Sequence, residues 1–217
     1  MRQIKAIIFD LDNCLAPAKE VGESDYLPAF DAMRDANNGS LSNEMLEKAF
    51  VDVWRHPLDW VATTYSFPDA MFTAGWDAFS RMRVNHKMFG YGDLDVLNDL
   101  PVERYIVTSG FRSLQESKIE ALGIKDLFTG IYVDAIDEPV RFGKKGLFEK
   151  IMEEGDFTAD QVPVVGDNCE SEVAAGNQLG ITTVQTLRPD VPKGSTATFT
   201  VNNLAELRDL YFNLINN

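Results

Sequence analysis

Apolar positions follow two different periods along this chain. Four short runs have no alternation at all: Ile4–Phe9 before Asp10, Tyr105–Val107 before Thr108, Ile131–Val133 before Asp134, and Val162–Val165 before Gly166. Each is rich in β-branched residues and ends in small or polar ones, the pattern of a strand buried on both faces of a parallel sheet. Between and after them the period becomes helical. Ser113–Leu122 stops at Gly123 and Ser171–Leu179 at Gly180, while Leu204–Ile215 follows later. Gly146–Glu154 carries Leu147, Phe148 and Ile151 on one side and stops at Gly155. A glycine just past the last turn is a common helix stop. Strands alternating with helices of this length predict an α/β fold built on a doubly wound, Rossmann-like parallel sheet.

The stretch from Ala16 to Tyr91 breaks the rhythm. It holds no strand pattern and is dense in helix formers. Asp25–Ala36 and Asn43–Trp54 are amphipathic, Ser42 offers a cap for the second, and Asp69–Met88 supplies a longer helical stretch. His56-Pro57 and Phe67-Pro68 punctuate the remainder, and Gly90-Tyr91-Gly92 provides a return hinge. The expected organisation is a catalytic core from residues 1–15 and 92–217, with residues 16–91 inserted as an all-helical cap over the strand ends.

Composition narrows the chemistry. The 217 residues are 45% apolar and 25% charged, which suits a globular protein, and no run approaches the roughly 18 apolar residues of a membrane span. Twenty Lys and Arg stand against 34 Asp and Glu, a formal charge of −14. Such a surface repels nucleic acid and anionic membranes, so neither is an expected partner, though a local site can still hold a small anion. The opening Met1-Arg2-Gln3-Ile4-Lys5 leads into no small-residue cleavage site, so the expected location is cytoplasmic. Cys14 and Cys169 are the only cysteines, and His56 and His86 the only histidines. No disulfide framework or four-thiolate metal site is available, which leaves the work to carboxylates.

The acids gather where strands end. Phe9-Asp10-Leu11-Asp12-Asn13-Cys14-Leu15 puts two carboxylates two residues apart at the exit of the first strand, where a parallel sheet opens its ligand crevice. A solvated acidic turn would look similar. Read as chemistry, the pair is a carboxylate nucleophile beside an acid–base group, with a hard divalent cation to hold like charges together. Gly166-Asp167 ends another strand, with Glu172 about one helical turn further on; acids at a helix start also complement its dipole. Thr108-Ser109-Gly110 offers a hydroxyl and backbone amides entering a helix, a natural phosphate site. Arg141-Phe142-Gly143-Lys144-Lys145-Gly146 brings positive charge to a loop before a helix, as an ordinary basic surface loop also would.

In this order, the four segments resemble the haloacid dehalogenase superfamily, whose site joins an Asp-x-Asp motif, a Thr/Ser strand end, a Lys and a Gly-Asp acidic motif. The resemblance runs from Ile7 to about Gly180, with Cys14 where threonine is usual and no Lys-Pro pair in the third motif. It implies that Asp10 attacks phosphorus to form an aspartyl phosphate. Asp12 protonates the leaving oxygen and later activates water. Thr108, Ser109 and either Lys144 or Lys145 hold the phosphoryl oxygens. Asp10, Asp12 through its main-chain carbonyl, and Asp167 bind Mg²⁺, with Glu172 as a further metal-site acid. The helical insert resembles the cap of members acting on small molecules. Carbon–halogen hydrolysis has no need of Asp12, so the implied function is a Mg²⁺-dependent phosphatase for a small phosphorylated metabolite. The same residues serve a sugar-phosphate mutase, and an inactive binding protein of this fold is the remaining alternative. The Asp-Asn-Cys-Leu wording resembles some pyrimidine nucleotidases, so a nucleotide or a sugar phosphate is the expected partner. Tyr26, Trp54, Trp60, Tyr65, Phe67, Phe72 and Trp76 could each stack on a ring, although aromatics at such spacing mostly fill a core.

Overall fold

Ile7, Ile8 and Phe9 are wholly buried because the strand they form, β1 (Ala6–Phe9), has a strand on either side and helices on both faces. The structure is a computed structural model that describes residues 3–216. The other strands are β2 (Glu103–Gly110), β3 (Gly130–Ala135), β4 (Val164–Gly166), β5 (Thr183–Thr186) and β6 (Phe199–Val201). They form one six-stranded sheet in the order β3-β2-β1-β4-β5-β6, and every pairing is parallel. The order reverses direction at β1, so the crevice beyond its carboxyl end is the place for a ligand.

Side chains of β1 alternate between two apolar layers. Ile7 and Phe9 pack with Ile119 of α5 (Arg112–Leu122) and Leu207 of α8 (Leu204–Asn216). Ala6 and Ile8 pack with Phe148 and Ile151 of α6 (Gly143–Glu154) and Ala175 of α7 (Glu172–Gln178). No helix of the described residues is long and apolar enough to cross a membrane.

Between β1 and β2 the chain forms four further helices, α1 (Glu23–Ala36), α2 (Asn43–Asp52), α3 (Leu58–Tyr65) and α4 (Asp69–Phe79). Tyr26 stacks on Trp54 at 3.9 Å and Phe30 on Phe50 at 4.5 Å, at the heart of an apolar cluster drawn mostly from residues 16–88. Ser42 caps α2 by accepting from the Met45 N–H at 3.3 Å, as its position in the sequence predicts. Glu20 ties the two connections to the sheet together: its carboxylate accepts from the N–H groups of Phe89 at 2.5 Å and Gly90 at 2.9 Å.

Two expectations need correction. The helical stretch expected over Asp69–Met88 ends at Phe79, because the segment after it spends its backbone on α5 instead. The Val84 N–H donates to Ser117 Oγ at 2.9 Å and the Met88 N–H to Ala121 O at 3.0 Å. The sheet also has two more strands than the apolar runs mark. β5 reads Thr-Val-Gln-Thr yet is fully buried. Two of its polar side chains are satisfied internally: Gln185 Nε2 donates to the carbonyls of Asp167 and Pro192, both at 2.9 Å, and Thr183 Oγ1 to Asn177 Oδ1 at 3.0 Å.

Candidate active site

Three strand ends converge beside β1. The Asp10 N–H donates to Val165 O at 2.9 Å, which prolongs the ladder by one residue and fixes Asp10 at the rim of the sheet. The chain then folds over itself: Leu11 O accepts from the N–H groups of Leu15 and Ala16, while Asn13 takes a left-handed conformation with φ 54°. This tight loop returns the Asp12 side chain to the cleft that holds Asp10. Thr108 and Ser109, near the end of β2, line the same cleft.

Glu172 lies across Gly166. A Cβ at residue 166 would fall 2.3 Å from Glu172 Cγ, so the close approach of the first turn of α7 to the strand demands glycine there. Asp167, just past Gly166, faces Asp10. Oxygens of Asp10, Asp167 and Glu172 all lie within 4.8 Å of one another, and all three residues are buried. Lys144 enters from the first turn of α6, with Nζ 2.8 Å from Asp10 Oδ1 and 2.8 Å from Glu172 Oε2. The next residue, Lys145, is rotated onto the exposed side of α6 and pairs with Glu149 at 2.6 Å. Of the two candidate lysines, therefore, only Lys144 reaches the acids.

The charge balance is uneven. Burial pushes the Asp10 carboxyl up to about 7, an effect that Lys144 opposes and Glu172 reinforces. Burial, Glu172 and Asp10 together push Asp167 up to about 8. Burial works against the Lys144 ammonium, but Asp10 and Glu172 hold it above the ordinary lysine range. Oxygen donors only, buried and short of positive charge, suit a hard divalent cation such as Mg²⁺. A stability test follows. Because both carboxyls bind protons more tightly in the folded state, the metal-free protein loses stability as pH rises from about 4 to about 8. A cation bound to the ionised trio cancels that loss. Thermal melts should show a larger rise in Tm on adding Mg²⁺ at pH 8 than at pH 5; equal rises at both would dismiss this site.

The Asp12 carboxylate stands apart from that trio. Lys118 Nζ lies 2.9 Å from its Oδ1 and 2.8 Å from its Oδ2, and Gln115 Nε2 donates to Oδ2 at 3.1 Å. Only its main-chain carbonyl is left for the metal role that the sequence implies. Neither Gln115 nor Lys118 is singled out by the sequence reading. The available signal is a polar pair spaced by three, flanked by Leu114 and Ile119, in the helix after Thr108. A cavity of about 310 Å³ separates these groups from the helical insert, which contributes Tyr26, Trp54, Arg55, His56 and Trp60 to its wall. The sequence gives no sign of Arg55. Its guanidinium is 3.9 Å from Asp167 Oδ2 and, among the described residues, makes no closer polar contact. Arg141 faces away from the acids and joins insert to sheet, through Asp59 at 2.5 Å and Asp134 at 2.6 Å. The Cys14 thiol is buried and donates to Val165 O at 3.7 Å; burial and Asp10 keep it well above the usual thiol range, so it is a poor redox group.

Known proteins resemble this chain in sequence and fold. The family model for haloacid dehalogenase-like hydrolases matches residues 4–180. The pyrimidine 5'-nucleotidase YjjG of Escherichia coli is 33% identical over 110 residues, 48% of each chain, so the match spans about half of that relative's length. A glyceraldehyde 3-phosphate phosphatase of Methanocaldococcus jannaschii is 24% identical over 97% of this chain and 98% of its own. Among solved structures, the hydrolase YfnB of Bacillus subtilis, bound to magnesium, superposes with a TM-score of 0.66 at 19% identity, over 96% of this chain and 98% of that one. The L-2-haloacid dehalogenase of Xanthobacter autotrophicus does so with a TM-score of 0.61 at 16% identity, over 97% and 99%. At such identities these two speak for the fold alone. The family match, however, runs from the first strand to the end of the helix that carries Glu172, and this chain belongs to the haloacid dehalogenase-like hydrolases.

Proposed function

We propose that the enzyme hydrolyses a small-molecule phosphomonoester through an aspartyl phosphate on Asp10. The observation that carries the reading is Asp12: a second carboxyl group lining the nucleophile's own cleft has work to do in phosphoryl transfer and none in carbon–halogen hydrolysis. The names of the two sequence relatives, a pyrimidine 5'-nucleotidase and a glyceraldehyde 3-phosphate phosphatase, support it. Residues 1–15 and 92–217 act as the catalytic core, with residues 16–91 as a cap that closes the cavity and excludes water.

A carboxylate oxygen of Asp10 attacks phosphorus while the bond to the leaving-group oxygen breaks, and Asp12 gives that oxygen its proton. Water then attacks the phosphoryl group as Asp12 takes a proton back, and the Asp10–phosphorus bond breaks to release inorganic phosphate. Thr108, Ser109 and Lys144 hold the equatorial oxygens, where charge spreads in the transition state. Arg55, whose guanidinium has donors to spare, adds a forked contact from the insert. Asp10, Asp167 and Glu172, with the Asp12 carbonyl, would hold Mg²⁺, which would supply the positive charge that lets a dianionic substrate enter among these acids.

The test is a panel of nucleoside monophosphates, sugar phosphates and haloacids, with Mg²⁺ and with EDTA. EDTA-sensitive release of phosphate from at least one ester, without halide release from any haloacid, is the expected result. Halide release, or no phosphate release from any ester, would refute the reading.

A further inference from the structure

Helix α5 buries three polar side chains; Ser117 caps the Val84 N–H, while Gln115 at 4% exposure and Lys118 at 3% turn toward the acids. Their neighbours Leu114 and Ile119 fill the same helix with apolar packing, so a core that needed only volume could use leucine at either place. Burying an ammonium is unfavourable unless it is paired. Lys118 finds its partner in both oxygens of Asp12. Gln115 spends its amide N–H groups on Asp12 Oδ2 at 3.1 Å and on Ser109 O at 2.9 Å. Both acceptors are oxygens, so the amide cannot be turned around. Its own Oε1 is consequently buried without a hydrogen bond among the described residues. The neighbouring backbone makes room as well: at Gly110, with φ 149°, a Cβ would fall 2.7 Å from Gln115 Nε2. A buried lysine, an orphaned carbonyl and a glycine-only backbone site all oppose folding, and all serve one carboxylate. Local costs that converge in this way mark a functional arrangement.

We propose that Gln115 and Lys118 are positioning residues that choose which oxygen of Asp12 works. The inference rests on the phosphomonoesterase reading above. Oδ2 receives two N–H groups and is filled, whereas Oδ1 receives one and keeps a lone-pair site. Oδ1 is thus the atom whose free lone pair takes up a proton from solvent and passes it to the leaving-group oxygen as the phosphorus–oxygen bond breaks. It is also the atom that takes a proton from water as the Asp10–phosphorus bond is hydrolysed. Both residues line the cavity, and in this role they act through Asp12, fixing the direction of the proton.

Leaving groups of different basicity separate this role from a merely structural one. A nitrophenolate departs without a proton, while an alkoxide needs one. Single-turnover transfer to Asp10 is measured for an alkyl phosphate and for p-nitrophenyl phosphate, with Mg²⁺, in wild type, Lys118→Met, Lys118→Arg and Gln115→Leu. Lys118→Met and Gln115→Leu should slow the alkyl ester about 10–100-fold and the aryl ester by less than about threefold, with KM nearly unchanged. Lys118→Arg should recover part of the alkyl rate. Equal slowing of both esters, or slowing of neither, would overturn the role. Should Lys118→Met fail to fold, Gln115→Leu carries the same comparison. A wild type that transfers phosphoryl from neither ester would refute the underlying reaction and this role with it. An active wild type whose variants keep the same aryl-to-alkyl ratio would refute the role alone.

Discussion

Replacing Asp10 with asparagine should lower kcat by about 10⁴-fold or more while the protein stays folded. The amide is nearly the same size and shape as the carboxyl group, and its neutral oxygen has no charge with which to attack phosphorus. Lys144 keeps Glu172 as an ionic partner at 2.8 Å, so its charge is not stranded. The carboxyl that is removed is itself pushed up to about 7 by burial, which means the fold gives up little when it becomes neutral. The expected change in Tm is within about 4 °C, the equivalent of roughly 1 kcal/mol in a chain of this size. Kinetics on an aryl phosphate and a thermal melt check both halves. Wild-type turnover in the variant would dismiss the covalent route through Asp10.

The two adjacent lysines should behave oppositely. Lys144→Met removes the ammonium shared by Asp10 and Glu172 and leaves two carboxyl groups facing each other in a buried place. Breaking a buried ion pair from one side costs about 3–5 kcal/mol, and losing one group that stabilises transition-state charge costs about 10²–10³ in kcat. Lys145→Met breaks an exposed pair with Glu149 on the same helix, worth about 0.3–0.5 kcal/mol at most, and should leave kcat unchanged. Melting curves and kinetics of the two variants, side by side, settle the matter. Comparable damage from both would mean that the α6 geometry described here is wrong.

What could be read in advance follows the physics of each signal. Strands β1 to β4 each contain a short continuous apolar run, and such runs stand out against a polar background. β5 did not, since Thr183, Gln185 and Thr186 are all buried, the first two through local hydrogen bonds, and the apolar pattern has no record of polar burial. The acids announced themselves by sitting just past strands. The choice between Lys144 and Lys145 was closed to the sequence, because it depends on the rotation of α6 about its axis. Gln115 and Lys118 were hidden for a related reason. Their meaning lies in a contact with Asp12, more than a hundred positions away along the chain, and polar residues on a helix ordinarily read as solvent-facing.

The position of β1 at the centre of the sheet sets the order in which this chain can assemble. Ala6 must meet Glu103 on one side, and Ile8 must meet Val164 on the other. Both pairings are non-local, and a chain made from its N-terminus has neither partner when the Ala-Ile-Ile-Phe run first appears. The helical insert, by contrast, draws its apolar cluster almost entirely from its own near neighbours in sequence, so it can form while β1 still waits. Refolding should therefore show helix first and a slower phase in which the sheet closes around β1. Until that phase is complete, Asp10 and Asp12 have no cleft to share, and a short β-prone segment is open to pairing with other copies of itself.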